Sequence, residues 1–336
     1  MEQCYAYGIG IATKNSRGEI IEVYYPSPVL KPSIECTSEL IAAVGQSGTH
    51  TLNEYQLSDL RSSDLTELTS VLDAFSDTKS PLVLCLLNKN EAPQDVASVF
   101  LKLHLLSHRL VRPHETVLDG MFGVLKNLAW TSEGAIDLDD LPARQLKARC
   151  KGTTLSVDCV DKFPKMCDYV VPAGVRIADT ARVRLGAYIG EGTTVMHEGF
   201  VNFNAGTEGP AMIEGRISAG VWVAKHSDLG GGSSTMGTLS GGGNIVISVG
   251  ENCLIGANAG TGIPLGDRCT IESGLYITAG TKVSILDDDN QLVRVAKASV
   301  LANRSDLLFR RNSQSGAVEC KTNQTAVALN EQLHAN

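Results

Sequence analysis

The sequence predicts a mainly β chain: a parallel β-helix of hexapeptide repeats, preceded by an α/β region and followed by a small β segment. Two observations carry this prediction. From Ile177 every sixth residue is aliphatic (Ile177, Val183, Ile189, Val195, Val201), and two places earlier stand the small or short Val175, Ala181, Ala187, Thr193 and Gly199. The phase returns at Ile217, Val223 and Leu229, at Val249 and Ile255, and at Leu265, Ile271, Ile277 and Val283. A period of six belongs neither to a helix nor to an amphipathic strand. Fixed-period self-similarity marks stacked coils, each burying an aliphatic residue against the next, here with three hexads to a turn. Aromatic content of 5% suits thin coils filled by Val, Ile and Leu.

Taken in order, YAYGIGIAT and IIEVYYPSPV flank a turn at Asn15-Ser16-Arg17-Gly18 and read as a strand pair within 5–35. Ser38 is placed as the cap of a short helix over 39–44. Residues 57–75 have helical spacing, PLVLCLL (81–87) is a buried strand, and VASVFLKLHLLSHRL (96–110) is a core helix ended by Pro113. Residues 118–128 and 141–151 are further helices, and 160–174 leads into the solenoid. The expected domains are 1–110, an α/β N-terminal domain; 111–174, a helical connection and linker; 175–285, the β-helix; and 286–336, a C-terminal β segment and tail. Two irregular excursions are expected within the solenoid, at NFNAGTEGPAM (202–212) and GGGSSTMGTLSGGGN (230–244), and a short helix near the end, in TAVALNEQLHAN.

A net charge of −8 argues against a general nucleic-acid binder. Nine cysteines without a CxxC pair fit reduced thiols in a cytosolic protein. MEQCYAYGIG lacks a basic start followed by an apolar run, so no signal peptide is expected, and no stretch reaches the roughly 18 apolar residues of a membrane span. A cytoplasmic location is the expectation.

A solenoid needs no polar excursions, so chemistry is sought there. Glu214-Gly215-Arg216 sets a carboxylate beside a guanidinium at the lip of a coil, a pattern suited to a general base with an anion-fixing partner; the structural alternative is a surface ion pair on a turn. The glycine triplets around Ser233, Ser234, Thr235, Met236 and Ser240 let a backbone approach a ligand closely, yet form no P-loop. His197 and His226 are too few and too far apart for a carbonic-anhydrase-like zinc site, and packed or exposed side chains suit them better. Lys282, Lys297, Arg310 and Arg311 form a basic group near the last coils, either a phosphate site or a solvated face.

The stretches VPAGVRIADTARVRLGAYIGEGTTVMHEGFVNFNAGTEG, MIEGRISAGVWV, GSSTMGTLSGGGN, LIGANAG, ESGLYITAGTKV and LLFRRNSQSGAVE together resemble the tetrahydrodipicolinate N-succinyltransferases, in their longer subgroup with a large N-terminal domain. The resemblance is dense over 160–320 and looser earlier, where LKLHLLSHRLVRPH carries it. It implies a left-handed β-helix, a homotrimer with active sites in clefts between neighbouring solenoids, and no nucleic-acid or membrane partner. It implies succinyl transfer from succinyl-CoA to tetrahydrodipicolinate, giving N-succinyl-2-amino-6-oxopimelate and CoA, in diaminopimelate and lysine biosynthesis. Matched residue by residue, Glu214 is the catalytic glutamate, acting either as a general base or by forming a mixed anhydride. Arg216, Gly231, Ser234, Ala257, Glu272, Ser273 and Gly280 match contacts to the acyl donor, and Lys297 with Arg310, Arg311, Asn312 and Ser313 matches contacts to the coenzyme. Arg182 and Arg184 are candidates for the acceptor's carboxylates. Glu198 matches one ligand of a structural Mg²⁺ at the trimer axis, while Ala181 stands where the resemblance leads one to expect a second acid. Competing readings are another hexapeptide acyltransferase, usually reliant on a His base, and a trimeric scaffold without activity.

Overall fold

The computed structural model describes residues 4–237 and 245–322. The chain divides into two compact units. One holds residues 1–111, 115–164 and 168–170; the other holds 112–114, 165–167 and 171 onward.

In the first unit, Ala6–Lys14 pairs antiparallel with Ile20–Tyr24 and with Leu82–Leu87, and Gly48–Thr51 pairs with the far side of Leu82–Leu87. The strand pair and the buried strand thus stand as expected. The helices depart in detail. The first runs Ile34–Val44 and is capped by Ser33, whose side chain accepts from Cys36 N–H; Ser38 lies inside it and donates to the Ile34 carbonyl. The region 57–75 is two helices, Glu54–Arg61 and Thr66–Ala74. Val96–Ser107 is buried on all faces but stops well before Pro113. Between 118 and 128 only the single turn Met121–Val124 is helical, because Gly120 takes a left-handed backbone and Leu125 is extended. Leu128–Thr131 is instead the centre of a three-stranded sheet with Gly134–Asp137 and Val157–Asp161, inside the stretch expected to be a helical connection. The helix Leu141–Cys150 is as expected.

The second unit is the parallel β-helix. Its three ladders run side by side: Ala187–Ile189 through Ser248–Val249, Arg176–Ile177 through Thr270–Ile271, and Phe200–Val201 through Tyr276–Thr278. The hexad residues face inward. Val183, Ile189, Val195, Val201, Ile217, Val223, Leu229, Ile255, Ile271, Ile277 and Val283 are all fully buried, and only Ile177, at the open first coil, is half-exposed. Each buried aliphatic side chain contributes roughly 1.5–3 kcal/mol, so the stack holds itself together coil by coil.

The stretch 202–212 is not an excursion. Ala205–Thr207 and Ala211–Ile213 are coil strands in register with Ala187–Ile189 and Thr193–Val195. Thr207 keeps the hexad phase and its hydroxyl meets Thr193 at 2.8 Å inside the coil. The second excursion begins in the coil too, since Ser234–Thr235 pairs with Gly260–Gly262. Ser240 and the second glycine triplet lie outside the described residues, as does the expected helix near the end. Beyond the last coil, Lys282–Leu286, Leu292–Lys297, Leu307–Arg311 and Val318–Thr322 extend one ladder, and buried Phe309 covers Ile271.

Candidate active site

The site is created by a short corner. Successive coils pair Val195 with Ile213, an advance of 18 residues, but Val201 with Ile217, an advance of 16. The missing pair is at the turn between these two ladders. The other coils turn through four residues there (Met196 to Gly199, Gly230 to Ser233, Gly256 to Ala259), whereas this coil turns through Glu214-Gly215 alone. Glu214 is half-buried, and Glu214 N–H donates to the Leu229 carbonyl at 2.8 Å. Its carboxylate lies over the next corner, where a β-carbon built on Gly231 would stand 3.6 Å from Glu214 Oε2.

The corners are stitched to each other. Gly232 N–H donates to Glu214 O at 3.3 Å, Asn258 N–H to Gly231 O at 2.9 Å, and Gly274 N–H to Ala257 O at 2.8 Å. Asn258 holds φ 54° to make its turn, a conformation asparagine tolerates well. Among the described residues, the N–H groups of Gly231, Ala257 and Ser273 make no hydrogen bond within the chain. These three occupy the same corner position on successive coils, so the structure aligns three of the sequence-derived candidates as a column of main-chain donors. Gly232, from the first glycine triplet, and Asn258, which the sequence reading does not single out, spend their own N–H groups on the carbonyls that hold these corners together.

Arg216 is exposed on the neighbouring ladder and sits directly beside Ser234 in register. Arg182 donates to the carbonyls of Gly199 and Glu198 at 3.1 and 3.0 Å, and Arg184 to Asn202 at 3.1 Å, both guanidinium groups lying 5.7 Å from the Phe200 ring. They brace the coil before the short corner. His226 shapes a corner at φ 58°, and His197 is exposed.

At the far end, Lys297 is the direct cross-strand partner of Lys282, both exposed, and Ala298 N–H donates to Thr281 O at 2.8 Å, which brings the open Gly280 turn beside them. Like charges set opposite each other are destabilising, so this pair is a place where an anion would relieve repulsion. Glu272 accepts from Arg311 N–H at 2.7 Å, tying the corner column to the last strands. Arg310, one of the four cations of the basic group, has an acidic partner. It pairs with Glu319 at 2.9 Å, and the Asn312 amide at 2.7 Å together with Arg310 holds the Glu319 carboxyl below its ordinary range. Ser313 is exposed nearby.

Beneath the short corner, Ser233 is fully buried and its hydroxyl has no hydrogen-bond partner among the described residues. An unsatisfied buried polar group costs about 1–3 kcal/mol. Ser233→Ala is therefore expected to stabilise the solenoid by up to about that amount, read as a rise in the denaturant midpoint.

The fold and its repeat define a hexapeptide-repeat acyltransferase. Residues 246–279 match the model described as hexapeptide repeat of succinyl-transferase, and residues 125–165 match the one described as tetrahydrodipicolinate N-succinyltransferase middle. The chain is 62% identical to a 2,3,4,5-tetrahydropyridine-2,6-dicarboxylate N-succinyltransferase of Pseudomonas aeruginosa, over 100% of this chain and 99% of the relative. It is 58% identical to the protein of the same name from Vibrio cholerae, over 99% of each. A crystal structure from Campylobacter jejuni, described as a 2,3,4,5-tetrahydropyridine-2-carboxylate N-succinyltransferase, superposes with a TM-score of 0.89 at 31% identity, covering 97% of this chain and 94% of that one. The chain belongs to the tetrahydrodipicolinate N-succinyltransferase family, enzymes of diaminopimelate and lysine biosynthesis.

Proposed function

We propose that Glu214 is the general base for succinyl transfer from succinyl-CoA to the nitrogen of tetrahydrodipicolinate, giving N-succinyl-2-amino-6-oxopimelate and CoA. The observation that carries this reading is the short corner, which sets the Glu214 carboxylate against Gly231, whose own N–H is unpaired within the chain. The acceptor reacts in its hydrated form, one water having added across the ring C=N bond. Its ring N–H nitrogen attacks the thioester carbonyl and passes its proton to Glu214. The tetrahedral intermediate collapses with expulsion of CoA thiolate, which takes up that proton, and the ring opens to the 6-oxo product. The thioester oxygen gains charge and takes a main-chain donor of the Gly231, Ala257 and Ser273 column. One such donor is worth roughly 3–4 kcal/mol in other enzymes. Holding both substrates in one cleft supplies much of the rest.

Succinyl-CoA lies along the column toward Gly280, with its phosphates on Lys297, Lys282 and Arg311; Arg310 fixes the strand through Glu319. Replacing Lys282 and Lys297 together by Met is expected to raise KM for succinyl-CoA about tenfold, the worth of one charge-assisted contact, with kcat nearly unchanged in steady-state assays. The working form is a homotrimer, in which a neighbouring solenoid supplies the opposite wall of the cleft. Arg216 faces the acyl chain's free carboxylate, and Arg182 and Arg184 lie on the acceptor's side.

Mg²⁺ does not fit the donors of one chain. Glu198 is a lone carboxylate with the Arg182 guanidinium bonded to its own carbonyl, and among the described residues no three acidic, His or Cys groups converge. Glu198 carboxylates repeated around an axis, with waters completing the shell, would hold such an ion as a structural one, and no step of the reaction involves it.

The test is release of CoA thiol with tetrahydrodipicolinate as acceptor, comparing succinyl-CoA with acetyl-CoA. Acceptor-dependent release favouring succinyl-CoA is expected; none from either donor refutes the reading. A single turnover without acceptor separates the two roles of Glu214, since a general base releases no CoA and an anhydride route releases one equivalent.

A further inference from the structure

The helix Val96–Ser107 of the N-terminal unit buries a lysine. Lys102 is only 1% exposed. Its ammonium donates to Asn90 Oδ1 at 2.9 Å and more weakly to Thr116 Oγ1 at 3.4 Å, and lies 5.3 Å from the centre of the Tyr5 ring. Among the described residues it has no carboxylate within ion-pair distance. An ammonium without a counter-ion costs several kcal/mol to bury, and burial pushes this one down to about 8. A methionine would fill the same space without that cost, so packing alone does not account for a lysine here.

Lys102 lines a cavity of about 390 Å³, within the range of small-ligand sites. Around it stand Gly48, Lys89, Glu91, Asp95 and Ser98. Asp95 caps the helix, accepting from Ser98 N–H at 2.8 Å, while Glu91 and Lys89 are exposed at the rim. Two lysines and two carboxylate residues thus line the cavity. A plain anion that reaches Lys102 meets Glu91 and Asp95, and a plain cation meets Lys102. The ligand that matches both is electrically neutral with separated charges. We propose that this cavity binds a small zwitterionic amino acid, its carboxylate on Lys102 and its ammonium toward Glu91. The site is independent of the roles assigned to Glu214 and the corner column.

The experiment is calorimetry and thermal shift on the full chain at constant ionic strength, with glycine, L-alanine, L-leucine and L-lysine, and with acetate and methylamine as half-ligands. At least one amino acid is expected to bind and to raise the melting temperature more than either half-ligand. Lys102→Met is expected to abolish that binding, and Glu91→Gln to weaken it at least threefold without changing the response to acetate. Glu214→Gln is expected to leave it unchanged, which separates this cavity from the transfer site. The proposal is overturned by any of three results: no amino acid binds the wild type, binding survives Lys102→Met, or acetate binds as well as the amino acids. If Lys102→Met does not fold, an unchanged affinity in Glu91→Gln overturns it.

Discussion

Glu214→Gln is expected to lower turnover by roughly 10²–10⁴-fold, the usual contribution of a positioned general base, or about 3–5 kcal/mol of barrier. The amide keeps the shape of the carboxylate but cannot accept the acceptor's proton. Nothing that shapes the corner is lost, because the bonds from Glu214 N–H to Leu229 and from Gly232 N–H to Glu214 are main-chain bonds. The variant's melting temperature and oligomeric state should match the wild type, so the loss appears in kcat with KM for succinyl-CoA little altered. Thiol release measures the first and a thermal melt the second. Near-normal turnover in a folded variant would remove Glu214 from the chemistry.

How far the sequence led to this corner follows from which signals depend on spacing alone. The aliphatic hexads are such a signal, because a coil has room for one inward side chain per face, and those residues are buried in the structure as expected. The corner itself was hidden by chemistry. Thr207 continues the phase from Val201 to Ile213, but a threonine flanked by Gly206 and, further on, Pro210 has the chemistry of a loop, so aliphatic periodicity alone reads 202–212 as irregular. Once Thr207 and Ile213 are accepted as coil residues, the real break stands out: Ile213 to Ile217 is four residues where six are expected. The break falls on Glu214, which the motif Glu-Gly-Arg marked for a different reason. In the N-terminal unit the departures from the sequence pattern have local causes. Ser33 caps the first helix because its side chain accepts from Cys36 N–H, which places Ser38 inside the helix, and left-handed Gly120 with extended Leu125 confines the next apolar run to one helical turn, so that Leu128–Thr131 enters a sheet. The Arg310–Glu319 pair depends on antiparallel pairing across a hairpin, which no periodicity reports.

The short corner exists only because Gly215 lets two coils approach, so Gly215→Ala should damage both stability and activity. A β-carbon there would lie 2.1 Å from Ser233 Oγ and 2.7 Å from the Ser233 carbonyl oxygen. The hydroxyl can rotate away, but the carbonyl cannot move without loosening its bond from Arg216 N–H at 2.8 Å. Overpacking of this kind costs about 1–3 kcal/mol or somewhat more, and a backbone contact belongs at the upper end. The same displacement moves Glu214 relative to Gly231, and a 1 Å misplacement of a catalytic group costs on the order of 10²-fold. Adding Ser233→Gly should recover part of the stability by removing the 2.1 Å contact while leaving the 2.7 Å one, a coupling that a double-mutant cycle measures directly. Gly231→Ala is the matching control, because its β-carbon meets nothing closer than Glu214 Oε2 at 3.6 Å; it should melt like the wild type. If Gly215→Ala melts and turns over like the wild type, close coil approach does not position Glu214, and the site must be held by some other contact.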